Sequence, residues 1–354
     1  MEQLEYQAAP PPRIYLALPN ISGITELFIQ NLQHHGFDVI STDIAMQFSY
    51  PSFSARLQTK YRQLLLGERD AKLRLQSKII QQELGAQLNG QPVDYALIIR
   101  SDLLPPELLA FIRRNTRHTM VAYQWDGIQR YPNIWRTIPY FDRFFIFDPA
   151  DLAYQQYPLL PTTNFYFDHL PTDNTNTNNN FYFLGFHNDD RAAGISNFAR
   201  YAKQQAWQLN FNILWNQEPS KFHNFYPENV NFITSAISFD ENQVNIRNSK
   251  ILVDFVIQAH HGLSFRTFEA LHYQKKLITT NTQIRYYDFY HPDNIFIWDG
   301  LSFDGITDFL KQPYYEIDTP IKERYSFGNW IRYILDIPPY DPISPVSYTH
   351  LRAH

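Results

Sequence analysis

The residues whose types and spacing could do chemistry lie between Ile257 and Asn281: Ile-Gln-Ala-His-His-Gly-Leu-Ser-Phe-Arg-Thr-Phe-Glu-Ala-Leu-His-Tyr-Gln-Lys-Lys-Leu-Ile-Thr-Thr-Asn. A polar loop around Gly262 leads into Phe265, Phe268, Ala270 and Leu271 at helical spacing, and Leu277-Ile278-Thr279-Thr280 then reads as a strand. A backbone that turns at Gly262 into a helix starting near Ser264 aims unpaired N–H groups, the positive end of the helix dipole and Arg266 at one place. That place suits an anion, above all a phosphate. Glu269, three residues beyond Arg266 on the same helix face, is placed to accept hydrogen bonds from sugar hydroxyls. Phosphate and hydroxyls together point to a nucleotide-linked ligand. The plainer alternative is an exposed i,i+3 ion pair on an ordinary helix, worth roughly a few tenths of a kcal/mol.

The elements that must position this block are read from the rest of the chain. Its 354 residues are long for one core, which predicts two domains. With 30 basic against 35 acidic residues, net charge −5, no global field draws nucleic acid or an anionic membrane, so a phosphate must be held locally. The absence of cysteine excludes disulfides, thiol nucleophiles and thiolate metal sites, and fits a reducing compartment. No secretory leader is legible before Pro10-Pro11-Pro12, and no apolar run approaches the roughly 20 residues needed to span a bilayer. The expectation is a cytoplasmic protein, with any membrane contact peripheral, at the inner membrane. Glycine is scarce, 12 residues, so Gly23, Gly127, Gly185 and Gly262, each where a strand gives way to a turn, are expected to need positive φ or close approach.

In chain order, Arg13–Leu18 is a strand, a helix through Leu27, Phe28 and Leu32 follows, and Phe37–Ile40 is a second strand, a βαβ start without Gly-x-Gly-x-x-Gly. Ser54 to Leu88 reads as one long polar helix with Leu57, Tyr61, Leu64, Leu65, Ile79, Ile80 and Leu84 as its stripe, a core or partner face, dimer included, rather than a membrane anchor. Val93–Ile99, Met120–Tyr123 and Phe144–Phe147 are further strands, with a helix opened by Pro105 between the first two. Gln124-Trp125-Asp126-Gly127 falls at the carboxyl end of a strand, where open α/β sheets bind ligands, and Asp126 is the candidate general base, with a turn cap as the alternative. Thr172 to Asn180 is a polar, Asn-rich run read as a mobile linker.

The pattern then restarts with strand Phe181–Gly185 and a helix through Ile195, Phe198 and Tyr201, and strands Leu209–Leu214, Ile251–Phe255 and Asn294–Trp298 follow. Ile321 to Ile337 reads as a last helix. The expected organisation is an N-terminal domain over 1–171, a linker over 172–180, a donor domain over 181–320, a final helix over 321–340 and a tail over 343–354. That tail resembles translated adapter read-through and is set aside.

The block around Arg266 resembles the donor-nucleotide segment of glycosyltransferases with the GT-B fold, α/β proteins of two Rossmann-like domains facing across a cleft. The likeness is to bacterial enzymes of lipopolysaccharide and capsule assembly, including the spore-maturation CgeB-like group. In those families Gly-x-x-x-Arg-x-x-Glu followed by Lys-Leu-Ile-Thr-Thr-Asn holds the diphosphate and ribose of a sugar nucleotide. The matching residues here are Gly262, Arg266 and Glu269, then Lys276 to Asn281. Trp125, Asp126 and Pro132 match a Trp-Asp and proline pattern of the same families, and their final helix crosses back onto the first domain. The resemblance implies a metal-independent glycosyltransferase with no cofactor, a nucleotide-sugar donor, a glycan or lipid-linked acceptor, and a role in cell-surface polysaccharide assembly. The candidate donor set is Gly185, His187, Arg191, Gly262, Ser264, Arg266, Thr267 and Glu269, of which Gly262, Arg266 and Glu269 are the ones the resemblance carries, with Asp126 and His261 as catalytic candidates. One departure is His261, which stands where retaining members carry a glutamate; it can neutralise a leaving group when protonated, and retaining and inverting outcomes both stay open.

Other chemistries are excluded by motif. Asp-x-Asp, the phosphate-binding Gly-x-x-x-x-Gly-Lys-Ser/Thr, His-Glu-x-x-His and Gly-x-Ser-x-Gly are all absent. The pairs His34-His35 and His260-His261 diverge on any helix or strand, and His187 with Asp189-Asp190 reads as a capped loop rather than a metal site. Two rivals share this sequence pattern: a non-catalytic nucleotide-sugar binding or scaffold protein, and a sugar-nucleotide epimerase.

Overall fold

A computed structural model describes residues 10–44, 50–68, 71–172, 178–257 and 261–343. β1 (Arg13–Pro19), α1 (Ile24–His34) and β2 (Asp38–Ile44) open the chain, followed by α2 (Phe53–Leu65), α3 (Ala71–Leu88) and β3 (Tyr95–Ile99). α4 (Pro106–Arg114), β4 (Met120–Gln124), β5 (Arg143–Ile146) and β6 (Leu159–Pro161) complete a six-stranded sheet of order β2-β1-β3-β4-β5-β6. Its ladders from β2 through β4 run parallel. β3 and β4 are buried almost throughout, as strands covered on both faces must be, which is why their sequences are continuous apolar runs. Tyr15, Ala17 and Ile98 of this sheet pack on Leu108, Leu109 and Ile112 of α4.

The second sheet is built the same way. β7 (Asn178–Phe186), α5 (Asp189–Gln204), β8 (Gln208–Leu214), β9 (Asn231–Ile233), α6 (Phe239–Asn248) and β10 (Ser249–Asp254) come first. α7 (Phe265–His272), β11 (Lys276–Thr279), β12 (Ile295–Ile297), α8 (Ile306–Lys311), α9 (Thr319–Arg324) and α10 (Phe327–Leu335) follow. The strands are all parallel in the order β12-β11-β10-β7-β8-β9. The core against it is aromatic: Phe183 and Phe198 both meet Phe211 and Phe255, mostly edge to face, which is how the chain's many phenylalanines are spent. The protein is therefore α/β, with two Rossmann-like sheets, as its restarting pattern implies. Packing divides it into two compact units, one holding Thr25–Gln124 and Tyr131–Phe144 with the first strand, the other holding Trp125–Arg130 and the chain from Phe145 onward.

Several boundaries differ from the sequence expectation. The long helix expected over 54–88 is two helices, because Gly67 takes the left-handed conformation (φ 67°) that ends α2. The last helix is also two: Tyr325 and Ser326 leave the helical path to pair with Tyr166, whose N–H donates to the Tyr325 carbonyl (3.1 Å) and whose carbonyl accepts from Phe327 (2.9 Å). β7 begins at Asn178, inside the run taken as linker, and 173–177 lie outside the described residues. So do His260 and the tail from 344, whereas Ile343 is fully buried. β6, β9 and α6 were not anticipated. α6 had a legible signal in Ser238-Phe239-Asp240-Glu241, a capping box whose Ser238 Oγ accepts from the Glu241 N–H at 3.2 Å.

One buried histidine gives a stability test. His272 stacks on Tyr166 (centroids 4.5 Å apart) and donates from Nε2 to the Leu170 carbonyl at 3.3 Å, and burial pushes its pKa down from 6.5 to about 4. Between those values the unfolded chain holds the extra proton, so this group's contribution to stability is lost as pH falls through the window, by up to about 3 kcal/mol. The Asp151 carboxyl, raised by burial to about 6, acts in the opposite sense over an overlapping range, so the two must be separated by mutation. Urea melts at pH 7 and pH 4.5 are expected to show His272→Gln losing clearly less stability on acidification than the parent. Equal losses would remove this assignment.

Candidate functional site

The carboxyl edge of the second sheet holds the candidate site. All six strands run parallel, so the loops after β7 and β10 emerge on the same edge. After β10 the chain reaches His261, Gly262 and Leu263, whose three carbonyls are each tied back. Asn281 Nδ2 donates to the His261 (3.3 Å) and Gly262 (3.2 Å) carbonyls, and Asn164 Nδ2 to the Leu263 carbonyl (2.9 Å). In a trans peptide the next N–H points opposite to the carbonyl, so the Gly262 and Leu263 amides are turned away from Asn281 and the Ser264 amide away from Asn164. Gly262 has to be glycine: a Cβ there would lie 2.4 Å from the Phe147 ring and 2.7 Å from the Phe147 carbonyl oxygen. The loop is thus pressed against Phe147 and its neighbour Asp148, which accepts from the His261 N–H at 3.0 Å.

α7 then starts as predicted. Ser264 is its extended N-cap residue, yet the Ser264 hydroxyl makes no cap hydrogen bond. Phe268, Ala270 and Leu271 are buried and fix which face turns inward. On the first turn, three side-chain donors are buried without a hydrogen-bond partner among the described residues: Ser264 Oγ, Thr267 Oγ1 and Arg266 Nη1. Buried polar groups are satisfied almost without exception, and three unsatisfied ones at one helix start call for an explanation.

Arg266 and Glu269 do come together, and not as an exposed pair. Arg266 Nη1 lies 3.2 Å from Glu269 Oε2, unaligned for a hydrogen bond, with both side chains at most 10% exposed. Gln243 of α6 donates to Glu269 Oε1 at 2.8 Å, and Tyr273 donates to Gln243 at 3.0 Å. Arg266 Nη2 reaches Asn242 at 3.4 Å, and its guanidinium lies over the Tyr182 ring at 4.9 Å. Burial raises the Glu269 pKa, with Arg266 and Gln243 pulling the other way. Both carboxylate oxygens of Glu269 are therefore engaged by protein groups.

The turn after β7 brings together Gly185, His187 and Arg191. Arg191 donates to the carbonyls of Phe186 and, at 3.5 Å, Phe255, linking this turn to the one after β10. Its Nε is a further buried donor without a partner among the described residues, and burial lowers the guanidinium pKa against the pull of Asp254. A Cβ at Gly185 would sit 2.6 Å from Arg191 Nη2, so the glycine is what admits the arginine. His187 shares a 2.7 Å hydrogen bond with the Tyr226 hydroxyl, and its Nε2 is 3.3 Å from Asp189.

The two catalytic candidates belong to one acidic cluster. Asp126 accepts from Arg130 Nη1 at 2.8 Å and from the Gly127 N–H at 3.1 Å, so it shapes the turn it opens. His261 keeps an exposed imidazole, 3.8 Å from Asp148 at Nδ1. Sequence reasoning missed Asp151, which accepts from the Ile128 N–H at 3.0 Å. Burial first, then the charges of Asp148 and Asp126, raise its pKa to about 6, while His261 lowers it. The available signal was Asp148-Pro149-Ala150-Asp151 directly after a strand. Asn164 and Asn281, which hold the loop's carbonyls, were likewise not assigned that role. Among the described residues no three His, Asp or Glu side chains converge as a metal set.

No protein-family model matches the chain, and no curated protein sequence matches it. Among solved structures it is similar to an α-glucosyltransferase in complex with UDP and a 13-mer DNA containing a HMU base, at 12% identity over 88% of this chain and 90% of that one, TM-score 0.49. It is similar to a glycosyltransferase involved in avilamycin A biosynthesis, at 11% identity over 88% and 91%, TM-score 0.49. It is also similar to the apo form of a lipopolysaccharide outer core galactosyltransferase, at 13% identity over 96% and 98%, TM-score 0.42.

Proposed function

We propose that this chain is a GT-B glycosyltransferase that moves a sugar from a nucleotide-sugar donor to a glycan or lipid-linked glycan, in cytoplasmic assembly of cell-surface polysaccharide. The observation that carries the reading is the start of α7, where the Ser264 and Thr267 hydroxyls are buried with no hydrogen-bond partner among the described residues, beside the Arg266 guanidinium and a loop whose carbonyls are held by Asn281 and Asn164. Two linked phosphates would use those hydroxyls and that guanidinium. The helix dipole adds to the same attraction. Arg191 Nε supplies one more donor from the neighbouring turn.

In this reading the bond between the sugar's anomeric carbon and the diphosphate breaks as the acceptor hydroxyl oxygen bonds to that carbon. Negative charge grows on the departing diphosphate, and the amides of 262–264, with Arg266, stabilise it where it develops. His261, exposed beside them, neutralises it further when protonated. Asp126 takes the acceptor's proton, which requires it to loosen from Arg130. Glu269 acts chiefly by holding Arg266; a ribose hydroxyl would have to share oxygens that Gln243 and Arg266 already engage. No resident metal is part of this scheme.

A panel of nucleoside diphosphates and sugar nucleotides tests it, first by thermal shift and then by product formation from a labelled donor in the presence of EDTA. A scaffold gives no product, and an epimerase consumes donor without an acceptor. Thr267→Val is the sharpest single variant. Its hydroxyl has no partner among the described residues, so the variant should fold with unchanged or slightly raised stability while nucleotide affinity falls about tenfold. Unchanged affinity would place the phosphates elsewhere.

A further inference from the structure

Helix α2 carries its apolar stripe on the outside. Phe53, Leu57, Tyr61 and Leu64 recur at spacings of four, four and three, which gathers them on one helix face. That face is 78%, 60%, 56% and 81% exposed at these four residues, while Thr59, from the opposite face, is buried at 4%. Leu66 and Leu73 extend the apolar surface toward α3. Between the two helices runs a groove of about 700 Å³ that Leu57, Tyr61 and Leu75 share with Arg62, Arg74 and Lys78. The sequence expectation of a core or partner face therefore divides between the two helices: Ile80 and Leu84 of α3 are core, whereas Leu57, Tyr61 and Leu64 of α2 are left exposed.

Charge identifies what meets them. Between Phe53 and Leu88 there are seven Lys and Arg against three Asp and Glu, whereas the remainder of the chain holds 23 against 32. A positive hairpin on a negative protein repels a second copy of itself and attracts an anionic surface. Arg56 and Lys60 flank the stripe, so their stems can lie along apolar surface while their charges reach outward. An apolar stripe with basic flanks on a helix lying flat is the arrangement of an interfacial element. No helix among the described residues is long and apolar enough to cross a membrane, so contact would be from one side.

We propose that the α2–α3 hairpin docks on an anionic lipid surface, with Phe53, Leu57, Tyr61 and Leu64 entering the acyl boundary and Arg56, Lys60 and Arg74 meeting headgroup phosphates. The inference does not rest on the sugar-transfer reading. The test is co-sedimentation of the full chain with phosphatidylcholine vesicles, with and without phosphatidylglycerol. Binding is expected only to the anionic vesicles and to weaken with salt. Leu57→Ser/Tyr61→Ser and Arg56→Glu/Lys60→Glu should each lower partitioning by about tenfold or more, with an unchanged melting temperature because every altered side chain is exposed. Three results would overturn the proposal. They are no sedimentation at low salt, variants that bind as the parent does, and a vesicle-free dimer that Leu57→Ser dissociates, which would assign the face to a second copy.

Discussion

Arg266→Ala is expected to destabilise the fold by roughly 3–5 kcal/mol near pH 7 and to abolish nucleotide diphosphate binding. Removing the guanidinium strands Glu269 in a buried site, where Gln243 alone cannot compensate its charge. The carboxyl then takes up a proton in the folded state that it lacks in the unfolded chain. The penalty therefore grows as pH rises above the ordinary carboxylate range and shrinks toward pH 5. Denaturant melts across that range read the structural part. The binding part is isolated by Arg266→Ala/Glu269→Gln, which removes both charges together and should recover most of the stability without recovering binding. Recovery of both would make the arginine a structural residue only, and the phosphate reading would fall with it.

Gly262→Ala should have the second largest effect. The added carbon meets the Phe147 ring and the Phe147 carbonyl oxygen, and a backbone oxygen cannot rotate aside. The loop has to move, which costs roughly 1–3 kcal/mol and disturbs the Asn281 hydrogen bonds that orient its amides. Nucleotide affinity is expected to fall more than tenfold even at temperatures where the variant is fully folded. Gly85→Ala is the matched control: it sits in α3 with nothing within 4 Å of the new carbon, and should stabilise by roughly 0.5–1 kcal/mol. If Gly262→Ala binds nucleotide as the parent does, the loop after β10 is not the phosphate site.

The buried cluster around α7 also explains why its polar residues pair as they do. Glu269 could face ligand or core from helical period alone, since three residues bring it beside Arg266 either way. What turns it inward is α6, which lays Asn242 and Gln243 along the same face and lends hydrogen bonds to both partners. A helix start, by contrast, is a local property. It survives intact from the reading of Gly262, Ser264 and the apolar positions after them.

What the amino-acid order determined by itself is the part set by neighbours along the chain. The alternation of strands and helices, the restart near Phe181 and the helix beginning at Ser264 all follow from period, turn chemistry and capping, which act over a few residues. The tertiary structure decided the rest, because it depends on groups far apart in sequence. Asp148 meets His261 across 113 positions, Gln243 meets Glu269 across 26, and the stripe of α2 faces outward because no element among the described residues packs over it. Local rules say which residues share a face; burial of that face is a collective result of packing, and only the folded chain reveals it.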